Sequence, residues 1–113
     1  MHELSLAMEV IDLAAREAKK NRVSIIQEIR IEVGDLSGVE ADAFELALEL
    51  LVKDSILENT MIHIIRTPGK GKCTVCDLEF EMKQILNTCP QCHGYPSEIS
   101  GGREFRIQSM VGE

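Results

Sequence analysis

The stretch "IIQEIRIEVG", residues 25–34, decides the fold. Ile25, Ile29, Ile31 and Val33 share one parity while Glu28, Arg30 and Glu32 share the other, so an extended chain here turns an apolar face inward and a charged face outward. Gly34 and Asp35 end it. Upstream, Leu4, Ala7, Met8, Ile11, Ala14, Ala15 and Ala18 recur at helical spacing, and Lys19, Lys20 and Asn21 suit the negative end of that helix and its stop. Downstream, "DLSGVEADAFELALELLVKDS" (35–55) passes from turn residues and acids into a second amphipathic helix, roughly 40–53, expected to bury Phe44, Ala47, Leu48 and Leu51. "TMIHIIRT" (60–67) is apolar on both faces and predicts a central or well-covered strand, and "REFRIQSM" (103–110) alternates Phe105 and Ile107 with Arg106 and Gln108. The expected fold class is α+β: two helices packed on a small, mainly antiparallel three-stranded sheet.

The last two strands are separated by a segment of different character. "TPGKGK" (67–72) and "SGG" (100–102) have the turning composition of a subdomain boundary. The chain is therefore expected to divide into a core, 1–66 with 103–113, and an inserted lobe, 67–102. That lobe holds all four cysteines, in "CTVC" (73–76) and "CPQC" (89–92), twelve residues apart. Two intervening residues let the chain reverse within each pair, so that both sulfurs face one point, about 2.3 Å from a tetrahedral zinc ion. A disulfide framework would scatter its cysteines, whereas these are clustered. Structural zinc fits spacing and context better than an iron–sulfur cluster or a redox dithiol pair. With Cys73, Cys76, Cys89 and Cys92 all engaged, such a site is closed and organises a zinc-ribbon-like subdomain without performing chemistry.

Composition removes several function classes. At 113 residues, one compact domain with a small satellite is the most the chain can build. Nineteen acids against twelve Lys and Arg give a net charge of −7, unsuited to phosphate backbones. The lobe itself has three lysines against four acids, and only Phe80 and Tyr95 to stack on bases. Nucleic acid is thus not an expected partner. The longest apolar runs, such as "ALELLV", are too short and too acidic for a membrane span or signal peptide, so the expected location is the cytoplasm. There is no phosphate-binding glycine motif and no nucleophile elbow, and the chain is read as a non-enzyme.

The first residues, "MHE", carry a different possibility. The Met1 amine, the His2 amide nitrogen and the His2 imidazole can close adjacent chelate rings on one cation, with the Glu3 amide adding a further nitrogen. Ni(II) or Cu(II), which accept planar nitrogen coordination, suit that set. Using these amides breaks no helical hydrogen bond, because the first N–H groups of a helix have no intrahelical acceptor. A cation there faces the positive end of the helix dipole, at about 0.3–1 kcal/mol, unless acids such as Glu3 and Glu40 offset it. His63, inside a predicted strand, reads as a structural or surface histidine.

"MHE" at the start, "VGDLSGVE" (33–40), and the paired cysteine motifs ending in "CPQCHG" (89–94) together resemble the HypA/HybF family of hydrogenase-maturation nickel chaperones, over essentially the whole chain. The resemblance implies a nickel-binding domain with an inserted zinc domain, and a metallochaperone that delivers Ni(II) to the [NiFe] hydrogenase large subunit in concert with a HypB-type GTPase. In some bacteria it also implies service to urease maturation proteins. By position it makes His2 the essential nickel ligand through side chain and amide, Glu3 a contributor of backbone nitrogen, and Glu40 an acidic position linked to nickel. Cys73, Cys76, Cys89 and Cys92 match its zinc ligands, and His93 is placed to exchange with a thiolate or sense pH. The oligomeric state is expected to be monomer or weak homodimer. The rival reading is a zinc-ribbon adaptor for a protein or nucleic acid, with His2 incidental.

Overall fold

In a computed structural model that describes residues 2–83, 88–94 and 98–113, α1 (Glu3–Lys20) buries a narrow stripe of Glu3, Ala7, Val10, Ala14 and Ala18. The stripe is rotated from the expected one: Val10 joins it, while Leu4 and Met8 stay more than half exposed. The helix has more apolar residues than one inner face can hold, and mainly small ones occupy it. Its end is a hydrogen-bonded reversal in which Arg22 takes the left-handed conformation, with φ 57°, and the Val23 N–H donates to the Ala18 carbonyl at 2.8 Å.

β1 (Ile26–Gly34) is the centre of the first sheet, whose order is β2-β1-β6 with β2 at Met61–Thr67 and β6 at Phe105–Gly112. The alternation read from the sequence holds for Ile29, Ile31 and Val33, which are buried. It slips at the start, because a register shift between Ile26 and Glu28 turns Ile26 inward and leaves Ile25 59% exposed. α2 (Ala41–Leu51) buries Phe44, Ala47 and Leu48 as expected, and Phe44 meets Phe105 edge to face with centroids 5.1 Å apart.

Two sheet features differ from expectation. β6 pairs antiparallel with β1, but β2 pairs parallel, because α2 carries the chain back across the sheet before β2 begins. The first sheet is therefore mixed, although three of the four strand pairs among the described residues are antiparallel. "TMIHIIRT" also forms an edge rather than a centre: Ile62 and Ile64 pack on the core, while Met61 is 60% exposed. On the polar face, Glu32 accepts from Thr67 Oγ1 at 2.9 Å and from Arg106 Nε at 2.7 Å. The Thr67 hydroxyl first, and the Arg106 guanidinium second, hold its carboxyl below the ordinary value. His63 lies on that face too, half-buried, with Nε2 3.0 Å from Glu28 Oε1.

The second sheet, of order β4-β3-β5, comprises β3 (Gly69–Lys72), β4 (Glu79–Met82) and β5 (Glu98–Gly101). "GKGK", read from its composition as a turn, is its central strand. Glycine is needed there for close approach: a Cβ at Gly69 would lie 2.3 Å from the Met82 carbonyl oxygen and 2.6 Å from Leu36 Cγ. The same crowding joins the sheets. A Cβ at Gly34 would lie 2.1 Å from the Gly102 oxygen, and one at Gly102, whose φ is +94°, would lie 2.4 Å from Gly69 Cα. Consecutive amides stitch this point, Asp35 N–H to the Thr67 carbonyl at 2.9 Å and Leu36 N–H to the Gly102 carbonyl at 2.7 Å. No helix among the described residues is long and apolar enough to cross a membrane.

Candidate metal centres

The two cysteine pairs lie on turns of the same construction. In one, the Asp77 N–H donates to the Cys73 carbonyl at 2.8 Å and the Cys73 N–H to the Leu78 carbonyl at 2.9 Å. In the other, the His93 N–H donates to the Cys89 carbonyl at 2.9 Å and the Cys89 N–H to the Gly94 carbonyl at 2.7 Å. The residue after each second cysteine is left-handed, Asp77 with φ 63° and His93 with φ 62°. Asp and His are among the few non-glycine residues that tolerate this conformation, so His93 occupies the place that Asp77 fills in its twin. The local sequence C-x2-C-D or C-x2-C-H carries that signal, and Asp77 is the member that reading by ligand type alone passes over.

The turns bring all four sulfurs within 4.8 Å of one another. Cys73 and Cys92 are 3.4 Å apart and Cys76 and Cys89 are 3.6 Å apart, far beyond a disulfide bond. Four sulfurs about 2.3 Å from a tetrahedral ion stand about 3.8 Å apart, so the cluster fits a thiophilic cation. Its protonation fits as well. The Cys76 N–H, then the Cys92 thiol, bring Cys73 down to about 7, and although burial opposes it, the N–H groups of Cys92 and Gln91 hold Cys89 low. The Leu78 N–H works to lower Cys76, yet burial and the three neighbouring sulfurs push it up to about 12. Cys92 also ends up raised, the pull of the Gly94 N–H being outweighed by the Cys73 sulfur and burial. Two thiols thus favour ionisation and two resist it. A divalent ion resolves that conflict by displacing the remaining protons.

The N-terminal residues make a different arrangement. His2 is exposed and caps α1 through its carbonyl, which accepts from the Leu6 N–H at 2.9 Å. The amides of His2 and Glu3 therefore lie upstream of the first helical hydrogen bond. Met1 lies outside the described residues. Glu3 is buried, and its Oε2 accepts from the Glu40 N–H at 3.1 Å, which is the main reason its carboxyl stays below the ordinary value. Glu40 in turn caps α2, its carboxylate accepting from the Asp42 N–H at 3.4 Å and the Ala43 N–H at 2.8 Å. Glu3 and Glu40, 37 residues apart, are thereby brought together at the heads of both helices. The sequence marked both as acids suited to that position, but the N–H to carboxylate link between them has no local signal.

The family described as "Hydrogenase/urease nickel incorporation, metallochaperone, hypA" matches residues 1–112. A hydrogenase maturation factor HypA of Parabacteroides distasonis is 37% identical over 111 residues, covering 98% of this chain and 96% of that protein. One from Geobacter metallireducens is 36% identical over 110 residues, covering 97% of each. The solution structure of the Ni metallochaperone HypA from Helicobacter pylori superposes with a TM-score of 0.67 at 25% identity, covering 99% of this chain and 97% of that one.

Proposed function

The chain belongs to the HypA family, a nickel metallochaperone of hydrogenase maturation rather than an enzyme, and on that premise we propose that it captures Ni(II) at its first residues. The Met1 amine, the His2 amide and imidazole and the Glu3 amide form the chelate in this reading. The observation that carries it is the Glu3 carboxylate on the Glu40 N–H, which fastens an end that would otherwise fray. Glu40 bears on nickel by holding Glu3 and by its negative charge, its oxygens being engaged in the α2 cap. Both acids offset the helix-terminus dipole that opposes a cation.

The resident ion of the four-thiolate centre is zinc in this proposal, held by Cys73, Cys76, Cys89 and Cys92, and it ties together residues 67–102 as an inserted unit. His93 serves the knuckle as its left-handed residue, with its exposed imidazole available to exchange with a thiolate or take a proton. The cargo passes to the [NiFe] hydrogenase large subunit with help from a HypB-type GTPase in the cytoplasm, and in some settings to urease maturation. The family's description as hydrogenase/urease nickel incorporation supports that destination.

Nickel calorimetry on protein with a native N-terminus, beside His2→Ala and with zinc content assayed before and after, tests the proposal. Loss of the nickel isotherm with zinc retained is the expected result. Unchanged nickel binding in the variant would refute the terminal chelate.

A further inference from the structure

The two free edges of the first sheet are unlike. β6 pairs with β1 through two register shifts, which twist and blunt an edge. β2 runs beside β1 for seven residues in unbroken register, with no proline in the strand and no strand on its outer side among the described residues. Alternate N–H and C=O groups of 61–67 therefore point outward with no strand to receive them. Beside this edge a groove of 230 Å³ opens between β2 and α2, floored by Leu48, Val52, Ile62 and Ile64. Glu45 and Glu49 stand on its α2 side, and neither carboxylate has a cation within ion-pair distance among the described residues. Asp42, one turn earlier, is already matched by Arg66 of β2.

We propose that the outer edge of β2 and this groove dock an extended segment of a partner protein as an added fourth strand, one whose α2-facing side chains include both β-branched residues and Lys or Arg. The backbone pairing supplies affinity, the apolar floor takes inward-facing side chains, and Glu45 and Glu49 select a basic sequence. A second copy of this chain is the poorer occupant. It carries a net charge of −7, and edge-to-edge pairing would bring its own Glu45 and Glu49 toward the first pair. The inference is independent of the nickel reading, since none of its residues belongs to either metal centre.

The test uses the full chain, nickel-free, and a synthetic nonapeptide with threonine at even positions and valine and lysine in turn at odd positions, so that valine and lysine share one face. Binding by calorimetry should be lost when lysine is replaced by glutamate and weakened about ten-fold or more by the double variant Glu45→Gln and Glu49→Gln. Methylating alternate peptide nitrogens should abolish binding in one register and spare it in the other, because only one set of amides faces β2. Outward amides within 61–67 should slow their hydrogen exchange on binding. No binding at millimolar peptide, equal binding of both methylation registers, or indifference to Glu45 and Glu49 would overturn the proposal. So would a stable dimer by sedimentation that excludes the peptide, which would assign the edge to a second copy.

Discussion

The cysteine centre and the N-terminal head solve opposite problems with the same chain. The former closes on itself: four sulfurs converge from two turns of one construction, each locked by two backbone hydrogen bonds. The latter stays open, with an exposed histidine at a helix head and one buried carboxylate holding it to the rest of the molecule. A centre with every donor supplied by its own lobe is built to keep an ion. The terminal chelate proposed above, steadied from behind, is suited to surrender one. In the proposed function, then, retention and release are separated by where the donors come from, not by how many there are.

The strongest attempt to break this contrast is Cys73→Ala. It removes a buried sulfur from a centre where a bound zinc would contribute folding energy of order 10 kcal/mol, so amide exchange should become fast in 69–72 and 79–82 while 26–34 stays protected. Simultaneous loss of nickel binding would show the centres to be inseparable. A milder perturbation is Gly102→Ala, which adds a Cβ where φ is +94° and Gly69 Cα stands 2.4 Å away; an expected loss of about 3 kcal/mol in denaturant unfolding follows from strain and overpacking. Next is Glu40→Ala, expected to lower stability by about 1 kcal/mol through the α2 cap, and to weaken nickel but not zinc. Equal loss of both metals would erase the distinction.

The smallest effect comes from a residue of neither centre. Because Thr67 and Arg106 hold the Glu32 carboxyl below its ordinary 4.5, its contribution to stability is present above pH 4.5 and is lost as pH falls through the lowered folded value. Glu32→Gln should therefore unfold more easily than the parent near neutrality and converge with it in acid, by denaturant midpoints at several pH values. Metal uptake should titrate in the same direction but over a higher pH range: with Cys76 at about 12, occupancy of the cysteine centre must release protons and strengthen as pH rises, readable by calorimetry in buffers of different ionisation enthalpy.

Much of this was legible in the sequence because local periodicity and donor spacing were intact. Ile29, Ile31 and Val33 announced β1, Phe44, Ala47 and Leu48 announced the inner face of α2, and the two C-x2-C motifs announced convergent sulfurs. What escaped depended on partners distant in sequence. "GKGK" has no strand periodicity, and only packing against Met82 and Leu36 makes its glycines a central strand. The parallel pairing of β2 is a property of the α2 crossover, invisible in "TMIHIIRT" itself. Leu4 and Met8 fit the helical pattern but lost the inner face to Val10 and the alanines.

The glycine junction has a consequence for how the chain can be cut. Thr67 and Gly102 accept hydrogen bonds from adjacent amides, Asp35 and Leu36, and Gly102 packs on Gly69, so the points where the chain enters and leaves the cysteine-bearing segment meet on a single narrow stem. On such a stem, joining Thr67 to Arg103 with a short turn is expected to leave β2 and β6 where they are. The same stem is a natural graft point, at which a foreign domain with closely spaced ends could replace the cysteine-bearing segment without asking the first sheet to change its strand order.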